Sequence, residues 1–396
     1  MSNRLKLFRE RMAAFEGAAN PSEAIESGYY VHAPGKLLVD NISNRIALRP
    51  SSSHLLLGGI GSGKTTQLLV AYQQINEIED IHAIYIDVSE YTDISKITTG
   101  VLTAITGLEI AKLIQDSKDK NIIQSVESIR DLANGYASYN YDEYPEPHEY
   151  DEPIIVKGII PKKSEGYGIS LELVKTVSEL IKYTSEKYGN LVLLFDGLDR
   201  LDDAKMFMQL VFSDAKAISS AGIGLVLVGS LTAIYGNYHD TINKSLDYFY
   251  YQPFFDVEND PEAYNFFEQI IKTRSSEHFI EESAMKALIN FSGGVLRDLI
   301  ILTQASIEET YLSGEDKVQE QQVLKAVDST GRNQLLGISD NELKIIKQIL
   351  QTGTFIPRTD EDLRLLVRRV ILEYRYPKLR YAVHPAMKPL IQQIVD

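Results

Sequence analysis

From His54 to about Asn259, short β-rich apolar runs alternate with longer stretches whose apolar positions recur at helical spacing. The short runs predict strands over His54–Gly58, His82–Val88, Leu191–Asp196, Ile223–Gly229 and roughly Tyr248–Val257. Between them, Leu173, Val174, Val177, Leu180 and Ile181 fall on one helical face, as do the apolar positions after Lys64. Strands separated by helices predict an α/β, three-layer fold with a mostly parallel sheet covered on both faces.

The alternation stops near Asn259. From Pro261, well placed in a first turn, to about Val327 the pattern is helical throughout, with Gly293-Gly294 marking a helix boundary. The last part changes again. A helix over Asp340–Leu350 is followed by a turn, and then Thr359, with Asp362 three residues on, resembles a capping box opening a helix over Asp360–Val370. Alternating apolar residues on either side of Pro377-Lys378 predict a hairpin, and a short helix closes the chain. Helix, turn, helix and hairpin make a winged-helix-like unit. The expected divisions are an N-terminal helical segment and strap over 1–50, a core over 51–258, a helical lid over 259–334 and the winged unit over 335–396. One stretch fits none of them: around 131–153 the core carries a run rich in tyrosine and acids, broken by prolines, which reads as an inserted surface loop. Such a loop is either a poorly ordered excursion or an aromatic and acidic docking site for a partner.

With 396 residues, 44% of them apolar, two or three packed units are expected. Nowhere is there an apolar run long enough to span a bilayer, and the N-terminal "MSNRLKLFRERMAAF" reads as an amphipathic helix rather than a signal peptide, so a cytoplasmic location is expected. The absence of cysteine excludes disulfides, thiolate nucleophiles and cysteine-ligated zinc. The seven histidines lack ligand spacing. A net charge of −15 argues against a surface coated with nucleic acid, while leaving room for a local basic patch.

The chemistry concentrates in "LLLGGIGSGKTTQLL". Gly58-Gly59-Ile60-Gly61-Ser62-Gly63-Lys64-Thr65 satisfies G-x-x-x-x-G-K-[ST] between a predicted strand and a predicted helix. Glycines let the backbone curl until successive N–H groups point inward, and the positive end of the following helix adds to that field, so the loop is expected to hold phosphates. Lys64 is then placed for the β- and γ-phosphates, the Thr65 hydroxyl for magnesium and Thr66 for the α-phosphate. A second group is needed for the metal, and "LVLLFDGLDRLDD" offers Asp196 at the carboxyl end of a buried strand. ATP and Mg2+ are therefore the expected ligands.

On these residues the chain resembles the P-loop ATPases in which extra strands separate the phosphate loop from the metal-binding strand, the AAA+ and STAND branches, which add a helical lid and often a winged helix. The resemblance implies a polar sensor after the next strand, where "LVLVGSLTAIYG" has Ser230, and a lid arginine facing the γ-phosphate, where "FSGGVLRDLI" has Arg297. An arginine at that point also has a plainer use, pairing with an acid such as Asp298. The pattern departs from the family at two places. Gly197 stands where most hydrolytic relatives have a glutamate, leaving Asp199 to orient the attacking water and implying slow hydrolysis. No arginine for a neighbouring subunit stands between Ser230 and the lid, and for Arg200 and Arg274 a surface salt bridge is the expected role. Guanine selectivity is unsupported, because "NKSL" has leucine where an aspartate is needed, and the resemblance directs adenine to Tyr29–Pro34.

In the winged unit, Arg364, Arg368, Arg369, Arg375, Lys378 and Arg380 form a basic set suited to phosphates, although Asp360 and Glu361 stand at ion-pair spacing from Arg364. Two outputs follow: an ATP-driven switch acting on a partner protein, as in relatives that serve bacterial defence or signalling, or a DNA-binding ATPase of the initiator, loader or transposition-regulator type. A small-molecule kinase would share the phosphate loop without needing the lid and winged unit. Homo-oligomers are compatible with either output.

Overall fold

The computed structural model describes residues 3–16, 21–34, 38–134, 158–161, 168–201, 203–231, 235, 245–276 and 278–395. The tyrosine-rich acidic stretch therefore lies outside the described residues from 135 onward. The chain divides into two compact units, one made of Val39–Leu57 and Val70–Tyr250, the other of Met1–Leu38, Gly58–Leu69 and Tyr251–Asp396.

The first unit holds nearly all of a sheet, of which Gly58, Tyr251 and Gln252 fall in the other unit. Its strands are β1 (Ser53–Gly58), β2 (Ile81–Asp87), β3 (Asn190–Asp196), β4 (Gly224–Gly229) and β5 (Tyr248–Gln252), in the order β2-β3-β4-β1-β5. The β2/β3, β3/β4 and β4/β1 pairs are parallel. Every residue of β1 and β4 is buried, as is β3 from Leu191 on, which is why these strands read as unbroken apolar runs. At the edge, β2 carries partly exposed positions between buried ones. The sequence predicts β5 as far as Val257, but it ends at Gln252, because Pro253 has no N–H to continue a ladder.

Among the covering helices, Val101–Leu113 is buried almost throughout. Its own N-cap, Gly100, offers no side chain, and the cap comes from a distance: the buried Asp214 carboxylate accepts from the amides of Gly100 (2.8 Å) and Thr103 (2.9 Å) and from the Thr103 hydroxyl (2.8 Å). Asp214 sits in a single π turn, Val211–Ala215, between the helices Ala204–Leu210 and Lys216–Ser220. Burial pushes its carboxyl up to about 6.

The second unit contains the helices Pro261–Arg274, Glu282–Phe291, Leu296–Ser313 and Glu320–Leu335 around Phe267, Ile271, Leu288, Leu299 and Leu302. The N-terminal helix Asn3–Ala13 joins this core through Phe8, with Phe15 following it, each contributing roughly 1.5–3 kcal/mol by burial. Arg4 fixes the register: its guanidinium donates to the carbonyls of Thr310, Tyr311 and Glu315, where the helix Leu296–Ser313 ends and leaves acceptors unpaired.

The winged part has the helices Asp340–Thr352 and Asp360–Val367, each opened by a capping box, Ser339 with Glu342 and Thr359 with Asp362. An antiparallel hairpin of β6 (Ile371–Tyr374) and β7 (Arg380–Val383) follows, and Lys388–Val395 closes the chain. The helix expected to reach Val370 stops at Val367 because Arg369 takes a left-handed conformation, φ +59°, from which no helix continues. No helix among the described residues is long and apolar enough to cross a membrane.

Candidate functional site

The phosphate loop follows β1 and opens the helix Lys64–Asn76. Gly61 (φ +86°) and Gly63 (φ +95°) are left-handed, and a Cβ at either position would lie 2.8 Å from Arg297 Cβ or Leu296 Cδ1 respectively. At Gly59 the obstruction is Phe254, whose ring carbon would be 2.1 Å away. Lys64 is nearly buried, and its Nζ donates to the carbonyls of Gly58 (3.1 Å) and Gly59 (3.0 Å), so the ammonium lies folded over the loop. The Ser62 hydroxyl is buried without a hydrogen-bond partner. An orphaned donor inside a glycine cup fits an anion with several acceptor oxygens, such as a phosphate. Thr65 and Thr66 stand partly exposed in the first helical turn.

The lid motif lies against this loop. Gly293 (φ +60°) and Gly294 (φ +73°) turn the chain, and a Cβ at Gly294 would meet the Phe255 carbonyl at 1.6 Å. Ser292 Oγ donates to the Ile289 carbonyl and accepts from the Gly294 amide. The helix beginning at Leu296 then presents the Arg297 amide to the Gly61 carbonyl at 3.3 Å, and the Arg297 side chain is exposed. Arg297 and the phosphate loop are thus bonded neighbours.

At the carboxyl ends of the sheet strands, Asp196 is nearly buried. Its Oδ1 accepts the Gly197 amide (2.8 Å) and its Oδ2 accepts the Tyr85 hydroxyl (2.9 Å). Gly197 (φ +88°) caps the one-turn helix Leu198–Arg200, which holds Asp199 partly exposed. Ser230 follows β4 directly and is buried. Because β3 and β4 are parallel neighbours with Phe195 beside Leu227, Asp196 and Ser230 leave adjoining strand ends. The carboxylate of Asp196 and the hydroxyl of Thr65 are hard oxygen donors of the kind magnesium takes. No group of three or more metal-ligating side chains occurs among the described residues, so a metal taken by either residue would bring water and phosphate oxygens as its other ligands.

Among the described residues, neither arginine weighed for a neighbouring subunit is paired with an acid. Arg200 reaches the Ser89 hydroxyl at 3.4 Å, and Arg274 donates to the Ala14 carbonyl with its guanidinium over the Tyr29 ring. Tyr30, Val31 and His32 line a surface cavity with Gln269, Lys272 and Thr273, which puts the strap beside the first lid helix.

Five of the six residues in the basic set of the winged part are engaged inside the chain. Arg364 grips Glu342 of the preceding helix rather than Asp360 or Glu361. Arg368 donates to the Leu336 carbonyl (2.6 Å), Arg375 to Glu373 (2.7 Å) while stacking 3.6 Å above Tyr251, and Arg380 to Asp256 (2.6 Å). Lys378 stands exposed at the hairpin turn. Arg369 reaches Asp298 at 3.1 Å, and the same carboxylate meets His384 Nε2 at 3.1 Å. His384 Nδ1 accepts the Ala386 amide, which fixes the Nε2–H tautomer of the neutral ring as the donor to Asp298. Asp298 therefore serves the winged part, not its neighbour Arg297. Sequence reasoning missed Tyr85 and this triad, whose members stand far apart along the chain.

No protein-family model matches the chain, and no curated protein matches it in sequence. Solved structures resemble it in overall trace at low identity. The Orc1 protein of Aeropyrum pernix in complex with DNA is 12% identical, with 92% of this chain and 93% of that one covered at a TM-score of 0.48. The Cdc6p of Pyrobaculum aerophilum is 13% identical over 94% and 99%, at 0.43. A RuvB variant of Thermotoga maritima is 16% identical over 90% and 94%, at 0.40.

Proposed function

We propose that this protein is a P-loop ATPase of the AAA+ type that binds ATP with magnesium, hydrolyses it slowly and uses its lid to report which nucleotide is held. The observation that carries this reading is the bond between the Gly61 carbonyl and the Arg297 amide. It ties the opening of the lid helix to the loop, so that a terminal phosphate on the loop is within the reach of a long cationic side chain. Lys64 and the loop amides hold the phosphates, with Ser62 gaining the acceptor it lacks. Thr65 and Asp196 would each offer an oxygen to magnesium, which when bound would neutralise phosphate charge. Asp199 orients the attacking water and Ser230 senses the terminal phosphate. Calorimetric titration of ATP and ADP tests the assignment. Lys64→Ala should abolish binding of both, whereas Arg297→Ala should weaken ATP about tenfold and leave ADP little changed. Equal losses for the two nucleotides would remove Arg297 as a reporter of the γ-phosphate.

The output has two readings. Duplex DNA is favoured by the layout itself, two capped helices and a hairpin with Lys378 exposed at its turn. A partner protein is favoured by the net charge of −15 and by the internal bonds of Arg364, Arg368, Arg369, Arg375 and Arg380. Gel-shift titrations with ATP from low to physiological salt decide between them: binding that falls steeply with salt establishes the DNA reading, and no binding at low salt removes it.

A further inference from the structure

A metal-holding carboxylate acts well only if its plane is fixed, because a free rotor must lose that freedom each time the metal is bound. Asp196 is fixed on both sides. The Gly197 amide takes one oxygen from the carboxylate's own turn. The other is taken by a residue 111 positions earlier in the chain, Tyr85, whose hydroxyl donates to Oδ2 at 2.9 Å. The sheet register brings this about: Tyr85 of β2 pairs with Leu194 of β3, two residues before Asp196, so the two side chains stand on the same face of adjoining strands.

Tyr85 is suited to donation. A phenol has an O–H to give, and its geometry directs that O–H at the Asp196 carboxylate. Its ring lies 6.4 Å from that of Tyr72, in a tilted arrangement.

We infer that Tyr85 is the positioning residue of Asp196, setting the carboxylate in the orientation in which it takes magnesium together with ATP. This rests on the reading that Asp196 serves the metal. Tyr85 touches neither nucleotide nor metal in this role and acts only through the carboxylate.

The test is the affinity of the full-length chain for ATP, measured by calorimetry with magnesium and again in EDTA, together with the electron paramagnetic resonance spectrum of Mn2+ bound with ATP. Tyr85→Phe keeps the ring and removes only the hydroxyl. It should cut the gain in affinity that magnesium gives by about tenfold, broaden the manganese spectrum, and leave both the EDTA affinity and the melting temperature at the wild-type values. A magnesium gain equal to wild type overturns the inference. So does a loss shared equally by the two conditions, which is what a purely structural role produces. Asp196→Asn is the control: if it leaves the magnesium gain intact, the reading of Asp196 itself is wrong and the inference goes with it. If Asp196→Asn removes the gain and Tyr85→Phe does not, the inference alone is lost.

Discussion

Lys64 and Ser62 show at single-residue scale how the phosphate loop is arranged for an anion. The ammonium donates to two loop carbonyls, and the neighbouring Ser62 hydroxyl is buried with no hydrogen-bond partner, so on the proposed reading the hydroxyl gains an acceptor when phosphate oxygens arrive. On the proposed reading the demand at Asp199 is different, because there water would be oriented rather than phosphate held. Asp199→Asn should bind ATP as wild type does and hydrolyse it about a hundredfold more slowly in a phosphate-release assay, within the usual range for a positioned base. An unchanged rate would transfer the role to another residue. Glu342 shows how pH enters. Bonds from Arg364, with burial opposing, hold its carboxyl down to about 2, below the 4.5 of an unconstrained glutamate. Because the folded pKa is the lower one, the stabilisation is complete above about 4.5 and is lost as pH falls toward 2. Circular-dichroism melts should therefore show wild type more stable than Glu342→Gln at pH 7, with the gap closing between pH 4.5 and 2.

At the scale of elements, what was legible in the sequence was what is local in the chain. The phosphate-loop motif, the Thr359 capping box, the Gly293-Gly294 turn and the buried strands are written in consecutive residues, because spacing and burial alone decide them, whereas the Ser339 box emerges only in the structure. Pairings between elements were not legible. Arg364 finds Glu342 across a turn instead of an acid on its own helix, and Asp298 finds His384, 86 residues away. Nothing at the sequence positions of Tyr85 or Asp214 marks them, since their meaning comes from strand register and helix packing. Asp214 makes a measurable case. Removing it leaves two buried amides at the start of Val101–Leu113 without acceptors, and Asp214→Ala should lower unfolding free energy by roughly 2–4 kcal/mol in urea titrations. A loss under 0.5 kcal/mol would mean that water replaces the carboxylate.

For the molecule as a whole, the unit that holds the phosphate loop also holds the lid and the winged part, and its bonds run in series. Gly61 meets Arg297, the adjacent Asp298 meets Arg369 and His384, and the Tyr374 hydroxyl of β6 donates to the Gly293 carbonyl of the lid turn at 2.8 Å. A change at the loop therefore has a bonded route to the hairpin. Hydrogen exchange followed by mass spectrometry should show ATP protecting amides both at the start of the helix Leu296–Ser313 and in β6–β7. In Asp298→Asn the protection should remain at the helix and fade in the hairpin. Protection of the hairpin that survives this substitution would place the route elsewhere.

Residue 369 carries two opposed demands. Its backbone conformation is one that glycine adopts without penalty and arginine holds at about 1 kcal/mol, whereas its guanidinium joins His384 in tying the winged part to Asp298. Randomising that codon and selecting only for resistance to heat should enrich residues indifferent to a left-handed twist. Selecting instead for communication between nucleotide and hairpin should return arginine, so the two pools would diverge at a single position and measure what the protein gives up in rigidity to keep its parts in conversation.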